Sequence, residues 1–478
     1  MKKIIKQTKS LLGAKRWYFV GIKGVAMTAL ALYGRGAGKS VCGSDVAEIF
    51  PTQEQLDGAG ITVYNGFSPD HITQASPDAV IYTGAHGGRD NGEVQKALAL
   101  SLPVFAHGQA LGLVMAGKRQ VAVGGSHGKT TTGAMIATIL TACGRDPSYA
   151  VGCGAITNLG PAGHFGRGDI FVAEADEYVT DPGHDSKARF LWQKPEIFVV
   201  TNIDFDHPDV YATLAHVQQA FVALQAQQAG IALTVVNADD RASLVLRGGK
   251  NVVTYGLSPQ AQYRITHVGS GAERTFFTLA QEGMEVGEFS LRVPGHHNVA
   301  NAVAAGVACQ NLGISWEDIR KGLLAFRGTK RRFEEIGVAG GVRFYDDYAH
   351  HPKEIEATIR GARDWYPKRR IVCIFQPHTF SRTKALFLDF SRALQQADLA
   401  IITDIYASAR ERDSLEVHAK MLVEAGSGGR AYYAPGPGDV QKLLQTFLKN
   451  GDIVIFMGAG DIYTWEKDLV QAYKEKHV

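Results

Sequence analysis

The stretch from Gln120 to Leu140 constrains this chain more than any other. A strand-length apolar run, Gln120–Val123, leads into Gly124-Gly125-Ser126-His127-Gly128-Lys129-Thr130 and then into the helical run Ala134–Leu140. An apolar strand that breaks at glycines and resumes as a helix belongs in a buried parallel sheet, with the loop at its carboxyl edge. Glycines there let backbone N–H groups converge on phosphate oxygens, and the helix N-terminus that follows favours an anion. Lys129 is placed to reach the outer phosphates of a nucleotide, and the Thr130 hydroxyl to join Mg²⁺. The strict GxxxxGK[ST] spacing fails at Val123, and a shortened Gly-x-x-Gly-Lys-Thr fits instead. A Gly-rich turn capped by threonine is the structural alternative.

The same rhythm recurs along the chain. Strand-length runs at Trp17–Val20, Ala79–Tyr82, Ile170–Val172, Ile197–Val200, Ile371–Phe375, Leu399–Thr403 and Ile453–Met457 alternate with helix-period segments. This predicts an α/β fold built on parallel sheets. At 478 residues the chain is too long for one core. Boundaries near Ala116-Gly117-Lys118 and Arg327-Gly328-Thr329 divide it into three α/β domains, 1–116, 117–328 and 329–478. Between Val252 and Leu291 the pattern turns to short alternating strands, which predicts a small antiparallel sheet inside the middle domain. A net charge of +3 gives no reason to expect nucleic acid as a partner. No apolar run reaches the ~20 residues of a membrane span, and five scattered cysteines without CxxC spacing suit a reducing compartment. The expectation is a cytoplasmic enzyme, monomeric or weakly dimeric, with no membrane insertion.

Three further segments are expected near the phosphate loop. Strand Ile170–Val172 ends in Glu174-Ala175-Asp176-Glu177-Tyr178, carboxylates placed to hold a nucleotide's Mg²⁺ or to form a solvated acidic turn. Strand Ile197–Val200 leads to Asn202, Asp204, Asp206, His207 and Asp209, oxygen ligands and one imidazole suited to a metal or phosphate. In Gly295-His296-His297-Asn298-Val299-Ala300-Asn301, Asn298 and Asn301 share a helical face at i,i+3 and can present amides to a purine, with capping the alternative for Asn298. Near the N-terminus, Gly21-Ile22-Lys23-Gly24 follows a strand and opens a helix, and the next strand ends at Asp45. That is a weak dinucleotide fingerprint, GxxG rather than GxGxxG, and points to a nucleotide or nucleotide-sugar site. In the last domain His350, His351, His378 and Arg382 fall at strand ends and suggest a substrate-binding face, each alone being as well suited to a cap or surface position.

Taken in order, Gly125–Thr132, Asn202-Ile203-Asp204-x-Asp206-His207, His297-Asn298-x-x-Asn301-Ala302, Arg331-Arg332-Phe333-Glu334, Asp347-Tyr348-Ala349-His350-His351-Pro352 and Phe375–Thr383 resemble the signature of the Mur ligases across all three domains. The resemblance implies a Rossmann-like N-terminal domain binding a UDP-sugar, a central P-loop ATPase domain and a Rossmann-like C-terminal domain that receives an amino acid. It is strongest for the branch that joins L-alanine to the lactyl carboxylate of UDP-N-acetylmuramate, using ATP and Mg²⁺, through an acyl phosphate in peptidoglycan precursor synthesis. Lys129, His207 and Glu174 would then be catalytic, with Thr130, Glu174 and His207 on metal. Gly125, Ser126, His127, Gly128, Lys129, Thr130, Thr131, Asn298, Asn301, Arg332 and Asp347 would bind ATP. Gly21, Gly24 and Asp45 would line the UDP-sugar site, and His350, His378 and Arg382 the amino-acid site.

Two departures bear on the branch. Several members use a carbamylated lysine downstream of the histidine that matches His207; the matching position here is Val222, and no lysine lies between Lys194 and Lys250. The alanine-adding branch is expected to lack it. The stretch Tyr178–Pro195 is longer than that branch leads one to expect, and Asp185–Phe190 resembles the muropeptide-recycling ligase that joins a tripeptide. Phe375–Thr383 favours alanine. A folylpolyglutamate-synthase-like ligase would not need the N-terminal domain. A non-ligase nucleotide-binding protein, or a dehydrogenase built on Gly21–Met27, leaves the phosphate loop and its neighbours unexplained.

Overall fold

Strands β1 (Arg16–Val20), β2 (Ser40–Asp45), β3 (Thr62–Asn65), β4 (Ala79–Tyr82) and β5 (Val104–Ala106) form a parallel sheet in the order β3-β2-β1-β4-β5. The computed structural model describes residues 10–205, 209–228, 232–271, 273–407, 414–425 and 430–476. The direction of chain progression reverses between β1 and β4, which leaves a crevice outside their carboxyl ends. Helix α1 (Val25–Gly36) starts at one wall of that crevice, immediately after the Gly21–Gly24 turn.

The next sheet has ten strands, in the order β17-β16-β15-β14-β13-β12-β6-β9-β7-β8. Its centre is β6 (Arg119–Gly124), paired in parallel with β9 (Ile170–Ala175) on one side and β12 (Ile197–Val200) on the other. β7 (Ser148–Ala150) and β8 (Gly163–His164) close one edge. Toward the other edge come β13 (Leu233–Asn237), β14 (Val252–Gly256), β15 (Tyr263–Gly271), β16 (Arg274–Gln281) and β17 (Met284–Leu291). The last three therefore extend the main sheet, β15 pairing in parallel with β14. Helix α2 (Lys129–Ala142) crosses from β6 with Thr132–Leu140 fully buried, so the phosphate loop is clamped between two rigid elements.

A hairpin of β10 (Val179–Asp181) and β11 (Asp185–Ala188) leaves the end of β9 and packs on the N-terminal sheet's loops. The final sheet runs β18-β19-β23-β20-β21-β22, comprising β18 (Glu334–Ala339), β19 (Val342–Asp347), β20 (Ile371–Phe375), β21 (Leu399–Ile402), β22 (Ala431–Tyr433) and β23 (Ile453–Met457). All pairings are parallel except β18 with β19. This order sets the carboxyl ends of β19, β23 and β20 side by side. By contacts the chain forms two compact units, one of Met1–His267, Phe277–Ser290 and Ala300–Thr329, the other of Val268–Phe276, Leu291–Val299 and Lys330–Val478. Among the described residues no helix is long and apolar enough to cross a membrane.

Candidate active site

In the first unit the phosphate loop is held from β12. Asn202 Oδ1 accepts the His127 N–H at 2.9 Å, its Nδ2 donates to the His127 carbonyl at 2.9 Å, and the Ser126 N–H donates to the Asn202 carbonyl at 3.1 Å. Ser126 Oγ accepts the Asp204 N–H at 2.8 Å. Gly125 and Gly128 take φ of 136° and 85°, a region that L side chains resist. A Cβ on Gly128 would lie 2.6 Å from Asn301 Oδ1, so Asn301 closes over the loop just before Lys129.

Lys129 is folded back onto this loop. Its Nζ donates to the carbonyls of Gly125 and, at 3.4 Å, Ser126, and meets Glu177 Oε2 at 3.2 Å. Burial by itself disfavours the ammonium. Glu177, Asp176 and Glu174 together outweigh it and hold Lys129 above the usual lysine range, hence charged. Glu174 lies at the end of β9, its Oε1 accepting the Gly152 N–H at 2.6 Å. Burial pushes its carboxyl up, opposed by Lys129, the Gly152 N–H and the Thr130 hydroxyl bonded to it. Asp176 instead pairs with Arg189 at 2.8 Å. Two neighbouring carboxylates thus take different cations, and Glu177 is the one that faces the loop lysine. His207 and Asp206 lie outside the described residues.

Asn298 and Asn301 do share helix α3 (His296–Asn311). Asn298 Nδ2 donates to the Pro294 carbonyl at 2.7 Å, a bond that ties down the helix start. Both amides are largely buried, and Asn301 is the one set against the phosphate loop.

The crevice of the N-terminal sheet is shaped by Gly21, with φ of 81°, where a Cβ would run into the Thr83 methyl. Gly24 is the N-cap of α1. Asp45 is 1 % exposed, and its carboxylate accepts the backbone N–H groups of Lys23 at 2.7 Å and Val46 at 2.8 Å. It therefore fixes the glycine turn from inside. Burial pushes its carboxyl up, against those two bonds, His86 and Lys23. Glu93 is wholly buried beneath the same crevice, 2.7 Å from His71 Nδ1 and accepting from Tyr18, Ser44 and the Ser68 N–H.

In the second unit, Asp347 ends β19 with its carboxylate accepting the N–H groups of Phe333 at 2.9 Å and Ala349 at 2.8 Å and the Thr358 hydroxyl at 3.3 Å. Burial raises it to about 6, partly offset by Arg332. Arg332 lies over the Tyr348 ring and 3.8 Å from Glu354. Its neighbour Arg331, at φ 62°, is buried on Asp346 at 3.0 Å and donates to the Gly458 carbonyl, which pins the turn. His350 stands edge-on to His378 at 6.2 Å, and His378 stacks on Tyr406. Burial holds His350 down to about 4, with Arg382 and Arg332 also depressing it and Glu354 opposing. His351 is a helix cap, its Nδ1 accepting the Lys353 N–H while Glu354 reaches back to its own N–H.

Family models match three successive segments: the Mur ligase family catalytic domain over residues 16–119, the Mur ligase middle domain over 123–309, and the Mur ligase glutamate ligase domain over 331–460. A protein from Desulfitobacterium hafniense, strain Y51, called UDP-N-acetylmuramate–L-alanine ligase, is 39 % identical over 456 residues, 95 % of this chain and 99 % of its own. The chain belongs to the Mur ligase family. A crystal structure of UDP-N-acetylmuramate-alanine ligase from Thermotoga maritima shares the fold with a TM-score of 0.81 and 28 % identity, over 96 % of this chain and 99 % of that one. A murein peptide ligase from Psychrobacter arcticus 273-4 shares it at 0.71 and 24 % identity, again over 96 % and 99 %.

Within this Mur ligase, sequence patterns grouped Glu177 with the strand-end carboxylates and Asn202 with candidate metal or phosphate ligands, without their roles at the loop, and gave Arg189 no role at the site. Alternation identifies Glu174 as a strand-end carboxylate, but β9 stops at Ala175, and nothing in the pattern says which later carboxylate turns toward Lys129. Asn202, expected as an oxygen ligand, instead bonds the His127 backbone, since a side chain two residues past an adjacent strand reaches the neighbouring loop.

Proposed function

We propose that this chain is an ATP-dependent ligase that joins L-alanine to the lactyl carboxylate of UDP-N-acetylmuramate, in peptidoglycan precursor synthesis, with three domains at 1–116, 117–328 and 329–478. The observation that carries the reading is Lys129, held charged by Glu177, Asp176 and Glu174 on the glycine loop after β6, in a chain that aligns almost end to end with an alanine ligase. A lactyl carboxylate oxygen attacks the γ-phosphorus and ADP leaves, giving an acyl phosphate. The alanine amine then attacks the carbonyl carbon, the nitrogen loses a proton, and phosphate departs as the amide forms.

Phosphoryl transfer of this kind rests on positioning and charge neutralisation. Released from Glu177, Lys129 neutralises the developing charge on the transferring phosphoryl group. Thr130 and Glu174, a hydroxyl and a carboxylate already bonded to each other, are hard oxygen donors of the kind Mg²⁺ takes beside phosphate oxygens. Bound there, Mg²⁺ would supply charge for the phosphates; His207, outside the described residues, is given a metal role by the family resemblance. Gly125 to Thr131 cradle the phosphates, with Asn301 and the anchored Asn298 on the adenine side. Arg332 and Asp347 contact ATP from the last domain. Gly21, Gly24 and Asp45 form the UDP crevice, and His350, His378 and Arg382 receive L-alanine, Arg382 through its carboxylate.

Phosphate release with ATP, Mg²⁺ and UDP-N-acetylmuramate tests this, with L-alanine, glycine, L-serine or the tripeptide added in turn. Fastest turnover is expected with L-alanine. Turnover with the tripeptide alone contradicts the assignment, and no turnover with any acceptor contradicts the ligase reading.

A further inference from the structure

The long stretch after Tyr178 has no part in the scheme above, yet the structure puts it against the sugar-nucleotide crevice. The crevice lies between the carboxyl ends of β1 and β4, so one wall is the Gly21–Gly24 turn and the other is the loop after Tyr82. That loop takes an unfavourable path: His86, Gly87 and Gly88 have φ of 53°, 86° and 52° in succession. The two glycines adopt this region freely, and His86 is held in it by its neighbours. Here the turn sets the His86 ring against Phe67 and brings Nε2 to 3.7 Å from Asp45.

The restraint comes from the hairpin. Asp181, 2 % exposed at the end of β10, accepts the Arg89 N–H at 2.9 Å and the Gly183 N–H at 3.2 Å, and is bonded by the Tyr82 hydroxyl. A Cβ on Gly88 would lie 2.5 Å from its carboxylate, so the turn sits directly on it. His184 adds a 2.9 Å contact to Asp90 at the surface. The hairpin is braced at its other end, where Trp192 donates to Thr180 Oγ1 at 3.0 Å and Arg189 bonds both the Val179 carbonyl and Asp176, next to the Glu177 that holds Lys129. All these residues belong to one compact unit.

We propose that Asp181 is a positioning residue for the sugar-nucleotide substrate, acting through the His86–Arg89 turn that walls the crevice. The inference rests on the reading that this crevice takes UDP-N-acetylmuramate. Full-length Asp181→Ala is expected to raise KM for UDP-N-acetylmuramate about ten-fold, the scale of one lost hydrogen bond to a carboxylate, with KM for ATP within about two-fold of wild type. Asp181→Asn keeps an oxygen for the Arg89 N–H and returns KM to within about three-fold. Gly88→Ala, which crowds the same contact from the other side, gives the same selective rise and serves if Asp181→Ala does not fold. A rise shared equally by both substrates, or an unchanged KM for UDP-N-acetylmuramate in Asp181→Ala and Gly88→Ala, overturns the inference while wild-type turnover leaves the function standing. A wild type inert with UDP-N-acetylmuramate contradicts the function and removes the inference with it.

Discussion

Replacing Lys129 by alanine deletes the cation that faces Glu177 at 3.2 Å, where the Glu177 side chain is 2 % exposed and that of Lys129 16 %. At that distance and an effective dielectric of about 20 the attraction is about 5 kcal/mol. Deleting one member of a buried pair costs about 3–5 kcal/mol, much of it from the charge left behind. Partial exposure of Lys129 places the expected loss near the lower end, about 3 kcal/mol. Glu177→Gln in the Lys129→Ala background removes the stranded charge and should restore at least about 2 kcal/mol of it. Turnover behaves differently, because the amide cannot replace the ammonium at the transferring phosphoryl group. Both variants should fall by about 10²–10³ or more. Urea unfolding read by tryptophan fluorescence, beside phosphate release, measures the two effects. A Lys129→Ala protein as stable as wild type, or a double variant that regains turnover, would refute the reasoning.

Gly128→Ala should cost about 1–3 kcal/mol from the positive φ alone, together with the clash at Asn301, and should reduce turnover sharply; full activity would contradict the packing described for the loop. The buried histidines should each make stability fall as pH drops from about 6.5 toward 4. His107, His297 and His350 are held down to about 4 by burial, so the stability they contribute is complete above the unfolded value near 6.5 and is lost on acidification as the unfolded chain binds protons. Asp347, raised to about 6 by burial, works in the opposite direction, its cost being full above 6 and relieved as pH falls. Asp45, Glu174, Glu334 and Glu466 are raised by burial too and work with Asp347, so the histidine contribution is read by difference: His107→Gln should lose less stability than wild type between about pH 6.5 and 4, and an equal loss would contradict it. Arg332→Ala should raise KM for ATP about ten-fold and leave KM for L-alanine unchanged, checked by steady-state kinetics; the reverse pattern would place Arg332 at the other substrate.

Buried parallel strands were the most legible part of the fold, since apolar runs flanked by glycine or polar residues mark them directly. Ala79–Tyr82, Ile197–Val200, Ile371–Phe375 and Ile453–Met457 have the bounds their sequence suggests. The helix after the phosphate loop begins at Lys129, not at Ala134 where the apolar pattern sets in, because its first turn is exposed to the loop and written in polar residues. The hairpin at Val179–Ala188 was illegible: strands of three and four residues are too short for alternation to show. Within the site, the phosphate loop and the strand-end carboxylates could be read by type and position. Their pairing could not, since Glu177 with Lys129 and Asp176 with Arg189 follow from how the chain turns after Ala175. Asn298 and Asn301 show the same limit: helical spacing places them on one face, while Pro294 and Gly128 decide what each amide meets.

The most direct test of the chemistry is to follow oxygen from UDP-N-acetylmuramate carrying ¹⁸O in both lactyl carboxylate positions. With ATP, Mg²⁺ and L-alanine, mass spectrometry should find one label in the released phosphate and the other in the carbonyl of the new amide. Phosphate released without label, or both labels kept in the sugar nucleotide, would contradict ligation through an acyl phosphate.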